Sequence, residues 1–458
     1  MSSLLALTLS ATLAAAPVLT LDEALESARQ QNLDLKIAQA RLDQAETATR
    51  KAWAGYLPTL TAGAALTRNS DSAQIPPGLL APVPITLQPL WLRSARVEAK
   101  QAVIAPQLFA VISASYKAVK LAELNTETAR REILFGVAQA YYGAAAQQEA
   151  LKAQERLLEL NQAREKDTQA RFDAGTVTRV ALLRAQLDRT RAEQDLVRAR
   201  NALASLKLAL GTLIQREPDF ELAAPPEPQV AAKQSSDALV NEALQNRTEV
   251  AAAATGVSLA RTNKTGVILS YLPNLGLSGT YNISNAAAFT GKNDSWAITL
   301  GLSWTLFDGG LREANLTEAS AKVVEATQSQ RLAESRVREE VRRSQLDLEN
   351  ALANRAKAEE SLSLARESSR LTDVSFKAGV ATYLEVADSN TALTGAEVGF
   401  VSERLQASLA ALRLLKAVGS FESGTTRKDA ATLDQPQAPA AQPQAPAGQP
   451  APTPAPQP

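Results

Sequence analysis

The segment SWAITLGLSWTLF, residues 295–307, decides the fold class because the character of its side chains alternates from Ser295 to Leu306. The even positions are apolar: Trp296, Ile298, Leu300, Leu302, Trp304 and Leu306. The odd positions from 297 to 305 are small or hydroxylated: Ala297, Thr299, Gly301, Ser303 and Thr305. A period of two over about ten residues, apolar on one face and small and polar on the other, is typical of transmembrane β-barrel strands. A soluble, half-buried strand alternates in the same way.

The spacing of aromatic residues favours the membrane alternative. Trp296 and Trp304 lie on the same face of the predicted strand, about 26 Å apart if the chain is extended. That distance matches the two aromatic girdles that bound an apolar band about 25 Å tall in membrane barrels. Tyr56 and Tyr271 precede two other predicted strands. We predict that these four aromatic side chains lie at the membrane interfaces.

The sequence predicts four strands, at about 57–68, 97–109, 272–284 and 295–307. The segment 97–109 alternates less regularly than the others. Four strands cannot close a barrel, and an open sheet in a bilayer leaves backbone groups at both edges unsatisfied. The chain is therefore expected to oligomerise, with two, three or four copies supplying eight, twelve or sixteen strands.

An internal duplication organises the rest of the chain. YLPTL (56–60) returns as YLPNL (271–275), and RFDAGTVTRV (171–180) returns as SFKAGVATYL (375–384). The repeats are predicted at 17–216 and 237–420, with a Pro-rich linker at 217–236. Self-similarity of this kind marks a repeated structural unit.

Long segments rich in Ala, Leu, Glu and Arg predict a helical hairpin in each repeat, with its tip near Gly175 or Gly379. About 60 residues of such helix would measure about 90 Å, too long for a compact globule. A coiled-coil shaft is therefore expected. The sequence before the first repeat, residues 1–16, is predicted to be a signal peptide. The Pro-, Ala- and Gln-rich tail at 421–458 is predicted to be disordered.

Composition argues against catalysis and nucleic-acid binding. Lys plus Arg number 48 and Asp plus Glu number 48, so the formal net charge is zero, and His and Cys are both absent. Ser-His and Cys-His catalysis and every His or Cys metal site are thereby excluded. No Gly-rich phosphate loop is present. We predict no enzyme activity, no cofactor, no metal and no nucleic-acid partner.

The ordered duplication resembles the TolC-type outer membrane efflux proteins. The motifs that carry the resemblance are TLDEALESARQQNLDL (20–35), YLPTL and YLPNL, LSWTLFDGG (302–310), the paired F-x-A-G-x-x-T turns and LRLLKAVG (412–419). The resemblance implies an α+β membrane protein. Three chains would form a twelve-stranded outer membrane β-barrel, continuous with a long α-helical coiled-coil tunnel in the periplasm.

The same resemblance implies an exit duct for a tripartite efflux pump or a type I secretion system. The implied partners are two further copies of the chain, a periplasmic adaptor (membrane fusion protein), an inner membrane transporter and outer membrane lipid. The hairpin tips would form the periplasmic gate. Acidic gate residues of the family match Glu385 and Asp388, whose i, i+3 spacing places them on one helical face. Around a threefold axis they would form two stacked carboxylate rings.

The expected latch of this gate is absent from the sequence. Phe376, Ala381 and Ala181 occupy positions where the family can carry an interacting Tyr, Arg and acid. Arg179 and Tyr383 are candidates for a substitute contact. The predicted gate set is Gly175, Arg179, Phe376, Gly379, Tyr383, Glu385 and Asp388, with the Gly175 turn as the outer docking surface.

Two other classes of function compete with the duct. A soluble coiled-coil scaffold or periplasmic adaptor would also contain long helices, but an adaptor has one helical hairpin, and the duplicated strands argue against it. A carboxylate-dependent enzyme would rest on Glu385 and Asp388 alone.

Overall fold

The computed structural model describes residues 17–76, 78, 85–228, 235–286 and 292–421. The predicted signal peptide and the predicted tail beyond Phe421 lie outside the described residues.

Eight helices in two matching sets make up most of the described chain. The first set is α1 (Leu21–Gln31), α2 (Leu33–Ala54), α3 (Pro106–Asp173) and α4 (Arg179–Ile214). The second set is α5 (Ser236–Asn246), α6 (Thr248–Leu269), α7 (Leu311–Lys377) and α8 (Tyr383–Val418). The first set measures 11, 22, 68 and 36 residues and the second 11, 22, 67 and 36, so the predicted duplication is present in the structure.

A break between the two short helices of each repeat has a different chemical basis in each copy. In the first repeat the buried Asn32 caps α2 by accepting from the Leu35 backbone N–H at 3.1 Å. Its side-chain amide also donates to the Leu213 carbonyl at 2.8 Å. In the second repeat the equivalent residue is Arg247, which pairs with Glu249 at 2.9 Å and also with Glu340 on α7.

The main hydrophobic core lies part-way along the long helices. There α1 packs on α3, together with a parallel pair formed by β1 (Val18–Leu19) and β6 (Glu221–Leu222). The fully buried Tyr141 hydroxyl donates to the Leu19 carbonyl at 2.8 Å and lies 2.9 Å from the Ala223 carbonyl. This core fixes the two ends of the first repeat against its own long hairpin. In the second repeat α5 packs on α7 and α8 in the same way.

The two hairpins of the chain are joined side by side along α3 and α8. Arg156 of α3 pairs with Glu397 of α8 at 2.8 Å, and Glu149 of α3 pairs with Arg404 of α8. The residue that comes later in α3 pairs with the one that comes earlier in α8, so the two helices are antiparallel. Because α3 runs toward its tip and α8 runs away from its own tip, the two tips lie at the same end of the shaft.

A four-stranded antiparallel sheet forms at the opposite end. It contains β2 (Thr59–Arg68), β5 (Trp91–Ile104), β7 (Asn274–Ser284) and β8 (Asp294–Ser303), in the order β2-β5-β7-β8. A separate small hairpin of β3 (Ala73–Ile75) and β4 (Ile85–Gln88) lies within the segment that connects β2 to β5. Both repeats therefore contribute two neighbouring strands to one sheet.

Two of the predicted strand positions were wrong. The strand expected at 97–109 spans Trp91–Ile104. It ends before residue 109 because Pro106 occupies the first turn of α3 and starts that helix. Proline is favoured there because its missing N–H is not needed. The strand expected at 295–307 ends at Ser303. Trp304 therefore lies beyond the strand, and the predicted distance of about 26 Å along one continuous strand does not apply.

No helix among the described residues combines the length and the hydropathy needed to cross a membrane.

Candidate functional site

The strand register separates the sheet into an apolar face and a polar face. Leu60 is opposite Ala99, and Leu277 is opposite Leu300, so these apolar side chains share one face. Ile298, near the middle of the edge strand β8, is 70% exposed on that face. The other face carries small polar residues of all four strands: Thr59, Thr61, Ser94, Ser278, Thr280, Asn282, Ser295 and Thr299. Membrane barrels present their apolar face to lipid and their polar face to the lumen.

Both edges of this sheet are open. Among the described strands β2 pairs only with β5 and β8 pairs only with β7. Because neighbouring strands alternate in direction, β2 and β8 run in opposite directions. A second copy can therefore place its β2 beside β8 and continue the antiparallel pattern. Such pairing satisfies the edge N–H and C=O groups that a bilayer would leave unsatisfied.

The predicted interface aromatics occupy both ends of the sheet. Tyr56, Tyr271 and Trp304 lie at the end nearer the helices, and Trp296 lies toward the other end of β8. The Trp304 ring N–H donates to the Tyr271 carbonyl at 3.0 Å, and the Arg312 guanidinium lies 4.7 Å from the centre of the Tyr271 ring. Trp296 is 72% exposed. Their placement fits contact with the membrane interface, which remains a prediction.

The two hairpin tips have the same backbone turn. Gly175 and Gly379 have φ of +74° and +77°, a left-handed conformation that glycine adopts without strain. In the first tip the Thr176 N–H donates to the Arg171 carbonyl at 2.9 Å, and in the second the Val380 N–H donates to the Ser375 carbonyl at 2.9 Å. These are the hydrogen bonds of a Schellman motif, which ends a helix at a glycine. The repeated sequence frame therefore encodes a repeated helix stop.

Glu385 belongs to the cap of α8. Its carboxylate accepts from the Thr382 backbone N–H at 2.6 Å and from the Thr382 hydroxyl at 2.9 Å. The Thr382 hydroxyl in turn accepts from the Glu385 backbone N–H at 3.4 Å, which completes a capping box. The first tip has Thr178 as its N-cap but Ala181 at the third helical position, so it has no such box. Local helix capping thus accounts for Glu385, one of the two acids, Glu385 and Asp388, predicted for the second tip.

The cap predicts a pH dependence that only the second tip should show. Hydrogen bonds from Thr382 hold the pKa of Glu385 below its ordinary value of 4.5. A depressed pKa means that the cap is fully formed above that ordinary value and is lost as pH falls through the lower folded-state pKa. We expect amide exchange in the first turn of α8 to accelerate over that acidic range, after correction for intrinsic rates. The first turn of α4, with Ala181, is the internal control; equal acceleration there would contradict the assignment.

Asp388, the other predicted ring acid, is exposed on α8 and has no ion pair with a described residue. Its carboxylate is therefore available to solvent at the tip, whereas that of Glu385 is held by its own helix.

Polar side chains from all four long helices lie near one another just above the tips. The Tyr383 hydroxyl of α8 donates to the Asp188 carboxylate of α4 at 3.3 Å. Burial and the Asp188 charge raise the pKa of Tyr383 to about 12, so the phenol remains a donor at neutral pH. Burial lowers the pKa of Arg164 on α3, while the nearby Tyr383, Asp373 and Asp188 act in the opposite direction. We call Arg164, Asp188, Asp373 and Tyr383 the tip cluster.

Phe376 also joins the two hairpins. The Arg171 guanidinium of α3 lies 5.2 Å from the centre of the Phe376 ring on α7, within the range of a cation–π interaction. Arg179, in contrast, is exposed in the first turn of α4 and makes no hydrogen bond or ion pair within the described part of the chain. Of the two candidates for a substitute contact, Tyr383 is the one that touches the other hairpin.

Sequence reasoning missed Asp188, Arg164, Asp373 and Arg171. No local motif identifies them, because each acquires its role only when the two hairpins pack together. One pattern could have indicated Asp188. It follows Ala181, the position where the family can carry an acid, by seven residues, so it lies on nearly the same helical face two turns later.

Comparison with known proteins identifies the family. A family model described as outer membrane efflux protein matches residues 24–214 and 239–420, which cover both repeats. The outer membrane protein TolC of Vibrio cholerae serotype O1 is 27% identical over 421 residues, 88% of this chain and 91% of that protein. The pyoverdine export outer membrane protein OpmQ of Pseudomonas aeruginosa is 25% identical over 333 residues, 70% of this chain and 69% of that protein.

Solved structures agree on the fold. The outer membrane protein VceC from Vibrio cholerae superposes with a TM-score of 0.72 at 21% identity, over 87% of this chain and 96% of VceC. The CmeC outer membrane channel of Campylobacter jejuni gives 0.74 at 16% identity, over 90% of this chain and 88% of CmeC. The predicted α+β architecture, a barrel sheet continuous with a helical tunnel, is confirmed. The chain belongs to the outer membrane efflux protein family and is not an enzyme but an outer membrane exit duct of tripartite efflux pumps, with its helical tunnel in the periplasm.

Proposed function

We propose that three copies of this chain close into one barrel and one tunnel, which receive substrates from an inner membrane transporter through a periplasmic adaptor. The observation that carries this proposal is the four-stranded sheet with two open edges of opposite direction. Three copies joined β8 to β2 would form a barrel of twelve strands without an unpaired edge. The trimer is also the state of the related channels.

We propose further that the hairpin tips form the gate, and that the tip cluster and the Arg171–Phe376 contact keep it closed. Tyr383–Asp188 and Arg171–Phe376 each join the first hairpin to the second. Separating the tips would break both contacts, so both stabilise the closed arrangement. Glu385 and Asp388 would lie in rings around the threefold axis, with Asp388 as the acid that is free to meet a passing cation. Rings of carboxylates favour cations in channels.

The adaptor is proposed to dock at the tips. Large apolar side chains are exposed there, including Val380 at 81%, Val180 at 59%, Leu183 at 54% and Leu384 at 51%. Apolar groups that a monomeric soluble protein would bury are a sign of a protein interaction surface. Both hairpins contribute, so the surface extends from the Gly175 turn to the Gly379 turn.

Outer membrane fractionation followed by planar-bilayer recording tests the proposal. We expect a gel band at the trimer mass that collapses to the monomer on heating, and discrete channels from the purified trimer. Asp388→Asn should lower the cation preference of those channels, with Asp347→Asn, a change of the same charge within the shaft on α7, as the comparison. A protein that is soluble and monomeric without detergent would refute the duct assembly. An unchanged cation preference in Asp388→Asn alone would refute only the ring.

A further inference from the structure

Strand β5 carries three charged side chains on the polar face of the sheet. Arg96, Glu98 and Lys100 occupy alternate positions, so they point to the same side. The Glu98 carboxylate lies 3.0 Å from the Lys100 ammonium and 3.5 Å from the Arg96 guanidinium. One carboxylate thus serves two cations, and the triad retains one net positive charge.

The neighbouring strands leave that charge uncompensated. Across the sheet the triad faces uncharged partners only: Gly63, Thr61 and Thr59 on β2, and Asn282, Thr280 and Ser278 on β7. The side chains of Arg96 and Lys100 are 55% and 63% exposed, whereas that of Glu98 is 20% exposed. The cations therefore project beyond their small neighbours, and the carboxylate lies between them.

The other charged residues of the four strands belong to the opposite face. Arg68 is opposite Trp91, Arg93 is opposite Leu66, and Asp294 is opposite Ile283. All of these lie toward the end of the sheet that is farther from the helices. Within the described strands of this sheet, the triad is the sole charged group on the polar face.

From this placement we propose that Arg96, Glu98 and Lys100 form a net-positive belt inside the barrel that makes this section of the pore selective for anions. The inference rests on the proposed closure of three chains, which brings three triads around one lumen. From Arg96 to Lys100 the belt occupies about 13 Å of strand length. Rings of Arg and Lys select anions in water-filled pores.

The belt gives the duct two electrostatic sections of opposite sign. The tip presents carboxylates, and the barrel presents net positive charge. Solutes that bear a carboxylate or phosphate group, and small inorganic anions, are the class that the belt attracts. Because screening shortens the reach of such charges to about 10 Å at 0.1 M salt, the preference should weaken as ionic strength rises.

Reversal potentials of single channels in a potassium chloride gradient test the belt, with chloride as the anionic probe. Glu98→Gln removes the carboxylate and leaves two cations per chain, so it should raise the chloride-to-potassium permeability ratio by about twofold or more. Lys100→Gln neutralises the net charge and should lower that ratio by a similar factor. The contribution of the tip is the same in all these proteins and cancels in the comparison.

Arg68→Gln is the matched control, because it removes the same charge from the other face of the sheet and should leave the ratio unchanged. If Lys100→Gln yields no heat-modifiable trimer, Arg96→Gln makes the same charge change and takes its place. Equal ratios in the wild type, Glu98→Gln and the cation variant would overturn the belt while leaving the duct intact. Failure of the wild type to form channels would instead overturn the closed barrel on which the belt rests.

Discussion

Replacing Ile298 with arginine is expected to abolish insertion of the protein into the outer membrane. Ile298 lies near the middle of β8 on the apolar face and is 70% exposed in the single chain. An arginine that faces lipid at the middle of a barrel strand costs about 2–4 kcal/mol. Three chains would raise the total to about 10 kcal/mol, which equals the net stability of a typical folded domain.

Ala297→Arg is the matched control for this prediction. Ala297 is the preceding residue on the same strand, but it points to the polar face in the row of Thr280 and Glu98. An arginine there meets the lumen in place of lipid, so this variant should fractionate with the outer membrane as the wild type does. Normal membrane levels and normal heat-modifiable trimer for Ile298→Arg would show that the two faces have been assigned in reverse.

Tyr383→Phe is expected to shift the duct toward its open state. The substitution removes the hydroxyl that donates to Asp188 and keeps the aromatic ring. A hydrogen bond to a charged group contributes about 1.5 kcal/mol or more when buried, and partial exposure reduces this to about 1 kcal/mol. If the three tips open together, about 3 kcal/mol in total changes the closed-to-open ratio by roughly a hundredfold.

Single-channel recording measures this effect as longer or larger openings at a fixed voltage. Tyr116→Phe is the control, because Tyr116 is exposed on α3 and its hydroxyl accepts from the Trp53 ring N–H at 3.2 Å, close to the sheet end of the shaft. That variant removes the same atom far from the tips and should conduct as the wild type does. Identical conductance and open probability for Tyr383→Phe would exclude the tip cluster from the closed state.

Sequence periodicity predicted the features of this fold that depend on near neighbours along the chain. The alternation in β8 and the repeated glycine frames depend on strand pleating and on one helix stop, so they are readable from a short window. The predicted end of β8 was wrong because the alternation continues through Trp304 and Leu306, whereas pairing with β7 ends at Ser303. Strand pairing is a property of two segments, and one segment does not encode where its partner ends.

The gate was harder to predict for a related reason. Thr382-x-x-Glu385 is a capping-box pattern that is visible in the sequence, whereas the family resemblance implies that Glu385 is a ring acid. Asp188 and Arg171 acquire their roles from the packing of one hairpin against the other, at sequence separations of about two hundred residues. Such contacts require the three-dimensional arrangement of the two repeats.

The two open sheet edges also constrain the order of events before the duct exists. A newly exported chain carries a strand ladder that has neither a lipid environment nor a partner, and its apolar face remains in water until copies meet. Insertion of a lone chain would leave two rows of backbone groups in hydrocarbon, at several kcal/mol for each unsatisfied group. Assembly of the copies must therefore precede, or coincide with, entry into the bilayer. The biogenesis of this protein is consequently a concentration-dependent process, in which a scarcity of chains delays folding itself and prolongs exposure of an aggregation-prone edge.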